Sequence, residues 1–233
     1  MLKGGRQKSI TLNGVDYQGA DMFIINPYFG KDCVVLFQQI DMNGKPYLQL
    51  PGGRCDEKHQ SLEDTICDEL YEESKKSIRV SKGVFEGMTK AGSFVEYDGG
   101  MGGIPGRRRC FVAKVPKISE TKFNKNRTIF EKKLENAKKQ REQDELHAFM
   151  ETKKMVRIPL AQLGEIIAAG NRHYNGIRIG TFVLNAYREM TRMQNPIINI
   201  MSIAKHFELD NDNIFKSVGL ELRGKIDLYR KKE

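Results

Sequence analysis

"LPGGRCDEKHQSLEDTICDELYEESKKSI", residues 50–78, sets a glycine pair after an apolar run and follows it with an acidic segment of helical spacing. Ser61 reads as a helix N-cap, and Glu63 and Asp64 suit the positive start of the helix that follows. Leu62, Ile66 and Leu70 recur at i, i+4 and i+8, which predicts a helix over residues 61–74 with one buried stripe. Glu69, Glu72 and Glu73 fall together on an adjacent stripe, and Asp68 and Glu72 are also one turn apart. Carboxylates at that spacing repel, so something must offset them. A hard divalent cation held by oxygen ligands, Mg2+ or Mn2+, is one answer. A solvated acidic face relieved by Lys75 and Lys76 is the other. The glycine loop at the end of a strand, immediately before the helix, favours the cation.

Working outward, "MFIINPY" (22–28) and "CVVLFQQI" (33–40) are apolar runs rich in β-branched and aromatic residues. The turn signal "FGKD" between them predicts a hairpin. "NGKP" (43–46) is a second turn, and "YLQLPGG" (47–53) a short strand entering the glycine loop. Beyond the acidic helix, strands are expected around residues 85–87, over 92–98 and over 107–115, with "GGMGGIPG" (99–106) as a flexible loop between the last two. Residues 121–145 hold eight Lys/Arg against five Asp/Glu and read as a mobile loop with a charged helix. "HAFMETKKMVRIPL" (147–160) returns to a strand-like pattern. "AQLGEIIAAG" (161–170) is a short helix closed by Gly170. "IRIGTFVLNAYREMTRM" (177–193) reads as one longer helix ended before Asn195-Pro196, and residues 197–207 as another.

The chain of 233 residues, 39% hydrophobic and 30% charged, suits one domain with an added lobe and is long enough to bury a core. No apolar run approaches the ~18 residues of a membrane span, and the first residues lack the continuous apolar core of a secretion signal. No membrane partner is expected. Cys33, Cys55, Cys67 and Cys110 lack CxxC spacing and read as reduced thiols. An intracellular, cytoplasmic location follows as the expectation. The net charge of +9 favours an anionic partner such as a nucleotide or nucleic acid. Nothing in the sequence specifies an oligomeric state.

The stretch that opens with the glycine pair resembles the Nudix box, G-x5-E-x7-R-E-U-x-E-E-x-G-U with U aliphatic. "DELYEE" (68–73) matches its R-E-U-x-E-E part at Glu69, Leu70, Glu72 and Glu73, and "LPGGR" matches the usual entry. "HAFMETKKMVRIPLAQL" is similar to the family's late strand. Three positions depart: Gln60 stands for the first glutamate after a loop of six residues (54–59) instead of five, Asp68 for the arginine, and Lys75 for the glycine. The family's glutamate–arginine pair supports the loop. Its loss here leaves a hydrogen bond to Asp68, or a pairing of Asp68 with Lys58 or His59.

The resemblance implies an α/β (α+β) fold, a Nudix-type α/β/α sandwich with a mixed sheet. It implies a Nudix domain over 21–168 with a basic insertion at about 117–145, which leaves an N-terminal extension over 1–20 and a C-terminal helical extension over 169–233. It also implies a phosphoanhydride hydrolase dependent on Mg2+ or Mn2+. Glu69, Glu72 and Glu73 are the implied catalytic and metal-ligating residues, with the Gly53 carbonyl as a further ligand. A further acid from outside the box is expected among Glu142, Asp144, Glu145 and Glu151, with Glu145 favoured as catalytic.

The added basic segments are similar in organisation to mRNA-decapping members of the family, viral ones included; in a viral protein the location would be host cytoplasm. Cleavage of capped RNA to m7GDP and 5′-monophosphate RNA is the first substrate expectation. Arg107, Arg108, Arg109, Lys132, Lys133, Lys138 and Lys139 are then the RNA- or phosphate-binding candidates. Phe94, Tyr97, Phe130, Phe149 and Tyr174 are candidates for stacking on a base. A small nucleotide diphosphate substrate or an inositol pyrophosphate is the alternative, and a non-catalytic RNA-binding module is a third.

Overall fold

A computed structural model of the chain describes residues 8–99, 106–115, 118–139, 143, 146–147, 149–193 and 198–199. Among these, a mixed sheet lies between two helical layers. The strands are β1 (Ile10–Leu12), β2 (Val15–Tyr28), β3 (Lys31–Ile40), β4 (Pro46–Gln49), β5 (Gly52–Arg54), β6 (Phe94–Asp98), β7 (Arg107–Lys114), β8 (Lys154–Pro159), β9 (His173–Tyr174), β10 (Ile177–Ile179) and β11 (Ile198–Asn199). The helices are α1 (Leu62–Glu73), α2 (Lys82–Lys90), α3 (Glu120–Asn136), α4 (Leu160–Ala168) and α5 (Thr181–Thr191). The sheet runs in the order β11-β7-β2-β3-β4-β10-β9, with β1 and β5 also on β2, β6 on β7 and β8 on β3. β2 pairs parallel with β7 and antiparallel with β3, so the sheet is mixed.

Side-chain alternation along these strands builds two cores. Met22, Ile24, Val35, Phe37, Phe111 and Ala113 face one side, where they pack with Leu62, Ile66 and Leu70 of α1, Phe85 of α2 and Phe123 of α3. Phe23, Ile25, Val34, Leu36, Cys110 and Val112 face the other and meet Leu163 of α4 and Leu184 of α5. A strand buried on both faces is apolar wherever no polar partner awaits it, which is why Met22–Ile25 of β2 and Val34–Phe37 of β3 read as continuous hydrophobic runs. This is the α/β/α sandwich expected from the sequence. The β2–β3 hairpin turns at Phe29 and Gly30, both with positive φ.

Several expected elements differ. Residues 82–90 form helix α2 instead of a strand: Val84, Phe85 and Met88 are buried at helical spacing behind Ser81 at the N-cap. Residues 177–193 are not one helix, because Ile177–Ile179 pairs parallel with β4 before Gly180 opens α5. The sheet begins before residue 21, since Tyr17 and Ala20 are buried in the core and β2 starts at Val15. It also continues past residue 168 through β9 and β10, with α5 packed on its face. In the basic segment, α3 is a regular helix anchored in the core by Phe123. Most of the 99–106 loop and most of residues 197–207 lie outside the described residues; within the latter, Ile198–Asn199 pairs with β7 as a strand. All four cysteines are free thiols.

Candidate active site

The acidic helix is held by its own ends and by the glycine loop. The Ser61 hydroxyl accepts from the Asp64 amide at 3.1 Å, as an N-cap should. Leu62, Ile66 and Leu70 then fix the rotation of α1 on the sheet. That rotation turns Glu69 and Glu73 toward the β4–β5 loop. The Glu73 carboxylate accepts from the Gly52 amide at 2.8 Å and from the Gln39 side chain. Gln39 in turn accepts from the Tyr47 hydroxyl at 2.7 Å.

The two glycines let the loop lie close against its neighbours. Gly52 has φ +146, and a Cβ there would fall 2.4 Å from the Ala20 carbonyl oxygen. A Cβ on Gly53 would fall 2.0 Å from Glu69 Oε1, so the Glu69 carboxylate lies directly against the Gly53 backbone.

The crowding shows in the electrostatics. Burial raises the Glu69 carboxyl to about 8, with the charges of Glu72 and Glu151 adding and those of Arg108 and Lys58 opposing. Burial also raises Glu72, opposed by Lys58 and reinforced by Asp68 and Glu151. Glu73 is pushed well up by burial and by Glu69, against the Gly52 hydrogen bond. Glu151 is raised by burial and eased by Lys75 and Lys153.

Glu151 thus acts on all three box glutamates, although it is 78 residues beyond the last of them in the chain (151 − 73). Of the expected outside acids it is the one among the described residues, and its charge is felt at the cluster. Glu142, Asp144 and Glu145, the favoured one included, lie outside the described residues.

The altered box positions have a physical account. Lys58 lies 3.0 Å from Asp68 and 3.8 Å from Glu72. Buried His59 has Nε2 at 3.4 Å from Asp68, while its Nδ1 accepts from the Asp56 amide at 3.1 Å. The loop–helix pairing is therefore present with its polarity reversed, base on the loop and acid on the helix. Gln60 instead donates its backbone amide to Asp64 at 3.2 Å. Lys75, where the resembled motif has glycine, has φ +54, in the left-handed region that favours glycine. Its ammonium is buried, donates to the Phe149 carbonyl and stands 5.4 Å from the Phe123 ring. Burial, with Lys153 and Arg127 nearby, lowers its pKa to about 8.

Two arginines expected to meet RNA are committed elsewhere. Arg108 is 1% exposed and grips Asp21 through Nε at 2.6 Å and NH2 at 2.7 Å; the same NH2 donates to the Gly53 carbonyl at 2.8 Å. The Tyr97 hydroxyl donates to the same Asp21 at 2.5 Å. Arg109 is paired with Glu96 at 2.8 Å and stacked 4.2 Å from the Phe94 ring. A buried charge needs such partners to be tolerated, and neither side chain is free to follow a phosphate backbone. Arg107 remains solvent-facing, 3.8 Å from Glu96 and Asp98.

Lys132, Lys133, Lys138 and Lys139 are exposed on and after α3. Of the stacking candidates, Phe130 and Phe149 stack on each other at 4.4 Å, Tyr97 is buried, Phe94 lies under Arg109, and Tyr174 packs on the α4–α5 core. Asp21, Gln39, Tyr47 and Arg108 were not expected as supports of the site. A lone aspartate inside the apolar run of β2 was the one available signal for Asp21.

The carboxyls of Glu69, Glu72 and Glu73, one buried and two partly buried on a single helix face, are a donor set suited to a hard cation. Among the described residues, no three acid, histidine or cysteine side chains close around a single point as they stand. The Gly53 carbonyl already accepts from Arg108, which leaves it one lone pair for a second role.

No family model matches the chain, and neither does any curated protein. Distant likenesses exist among solved structures. A Caenorhabditis elegans Ap4A hydrolase binary complex is 12% identical, with a TM-score of 0.42 over 76% of this chain and 96% of that one. The NUDIX domain of Shewanella oneidensis NrtR complexed with ADP ribose is 14% identical, with a TM-score of 0.34 over 64% and 76%. The Trypanosoma brucei MERS1–RNA complex is 12% identical, with a TM-score of 0.36 over 75% and 59%.

Proposed function

We propose that the chain is a Nudix-type pyrophosphohydrolase that works with Mg2+ or Mn2+ on a nucleoside diphosphate-linked substrate. One observation carries this reading. The Gly52–Gly53 loop grips Glu73 through a backbone amide and packs its bare backbone on Glu69, leaving carboxyls crowded and raised at its mouth. A divalent ion bound there supplies charge neutralisation for the diphosphate and lowers the pKa of a bound water. Glu69, Glu72 and Glu73 are the residues to hold it, with the Gly53 carbonyl as a further donor. Lys58, beside Glu72 and Asp68, keeps the loop seated on the helix. Glu151 takes the role expected of the acid outside the box and accepts a proton from the attacking water at its carboxylate.

For the substrate, capped RNA remains the first reading, now supported by the exposed lysines Lys132, Lys133, Lys138 and Lys139 alone with Arg107. A free nucleotide diphosphate derivative is the second, favoured by the burial of Arg108 and Arg109. The test is a Mg2+/Mn2+ hydrolysis screen of cap-labelled RNA beside free dinucleoside polyphosphates and nucleotide sugars. Release of m7GDP from RNA faster than turnover of free nucleotides supports decapping, and the reverse order selects the second reading. Glu72→Gln, at a partly exposed position, is expected to lower kcat by about a hundredfold or more. Equal rates for that variant and the parent would remove the enzymatic assignment.

A further inference from the structure

Beyond Ser74 the chain leaves α1 through two lysines that both have positive φ, Lys75 at +54 and Lys76 at +61. Residues with a Cβ enter that region at a cost, so surrounding contacts must hold them there. The Lys75 amide donates to the Glu72 carbonyl at 2.9 Å and the Lys76 amide to the Tyr71 carbonyl at 2.8 Å. These are the paired bonds of a Schellman close, which usually brings an apolar side chain at the position of Lys76 back onto the one at the position of Tyr71. Here the contact is made by a cation on a ring.

The Lys76 ammonium stands among three rings. Their centroids lie at 5.1 Å for Tyr71, 5.1 Å for Phe149 and 5.5 Å for Phe130. Phe130 and Phe149 stack at 4.4 Å, and Tyr71 meets Phe149 edge-on at 6.2 Å. A cation within about 6 Å of a ring centroid is drawn to the ring face. The rings come from α1, from α3 and from the segment before β8, so one ammonium is shared by three elements.

The segment before β8 is the one that carries Glu151. Two residues ahead of Glu151, Phe149 is held by Lys76 at its ring and by the Lys75 ammonium at its carbonyl. Two residues after it, the Lys153 amide donates to the Gln38 carbonyl of β3 at 2.8 Å. The backbone is thus fastened on both sides of Glu151, whose charge is felt at Glu69, Glu72 and Glu73.

We propose that Lys76 is a positioning residue: its ammonium clamps Phe149 to the end of α1 and so sets where Glu151 stands relative to the acids of that helix. What Glu151 then does rests on the pyrophosphohydrolase reading. The clamp itself is measurable without hydrolysis.

Lys76→Met keeps the apolar stem and the backbone preference but removes the charge, and Lys76→Arg keeps the charge. In the full chain in EDTA, amide hydrogen exchange at Met150 and Lys153 should quicken about tenfold in Lys76→Met, with Ile66–Leu70 of α1 unchanged and Lys76→Arg close to the parent. Unchanged exchange at Met150 and Lys153 overturns the clamp. With Mg2+ and the best substrate of the hydrolysis screen, Lys76→Met should lower kcat about tenfold with KM within about twofold, and Lys76→Arg should restore most of the loss. In a Glu151→Gln background the same substitution should cost nothing further, because the residue it positions is already disabled. An equal loss in both backgrounds overturns the positioning role, as does a kcat that Lys76→Met leaves unchanged. The expected exchange pattern in a parent chain that hydrolyses no diphosphate upholds the clamp and removes the enzymatic reading.

Discussion

Glu69 has a carboxyl that burial and its neighbours raise to about 8, against an ordinary value of 4.5. The folded chain therefore holds a proton there that the unfolded chain has released over this interval. Folding stability from this group is present below about pH 4.5 and falls as pH rises toward 8. In EDTA, the midpoint of thermal unfolding should drop across that interval, and Glu69→Gln should flatten the drop. Added Mg2+ should raise the midpoint most at the alkaline end, where the carboxylates are charged and repel most. The buried Arg108–Asp21 pair, with Tyr97 on the same carboxylate, makes a different expectation. Arg108→Ala strands a charge and should cost about 3–5 kcal/mol of stability, read by urea unfolding. A loss below ~1 kcal/mol would mean that water reaches Asp21.

Between residues, the loop–helix unit of β5 and α1 has the tightest tolerances. Gly53→Ala would put a methyl 2.0 Å from Glu69 Oε1. It should displace the Glu69 carboxylate and abolish hydrolysis while leaving α1, whose cap and buried stripe are untouched, folded by circular dichroism. The departures of the box are also explained at this scale. Lys58 with Asp68 replaces a pairing of opposite polarity, and Lys75 accepts a left-handed backbone so that its ammonium can tie the Phe149 segment to the end of α1. That segment carries Glu151 to the cluster. Lys75→Gly relieves the backbone but frees the segment, so kcat should fall while the apparent KM changes little.

Across the whole molecule, the exposed basic charge and the acidic cluster lie on different elements. The exposed lysines Lys132, Lys133, Lys138 and Lys139 follow the α3 segment, which joins the sheet at Phe123 and the end of α1 at Asn126 and Phe130. Reversing these four to glutamate should raise the apparent KM for capped RNA severalfold and shallow its salt dependence by up to about four counterions, with no effect on a free nucleotide substrate. An unchanged salt slope would exclude α3 as an RNA surface.

The glycine pair, the N-cap at Ser61 and the i, i+4, i+8 stripe were enough to locate α1 and the acids on it, because caps, turns and helical periodicity are local properties. The β2–β3 hairpin was legible for the same reason. Residues 82–90 and 177–193 were misread because a short apolar run fits strand or helix until a partner is present: Phe85 found a core beside α1, and Ile177–Ile179 found the open edge of β4. Long-range meetings had no local signature at all. Arg108 beside Asp21, Lys58 beside Asp68 and Gln39 beside Glu73 depend on which elements meet. Pairing is settled by burying both faces of the sheet at once, so only the folded chain decides which charges are neutralised and which are left crowded.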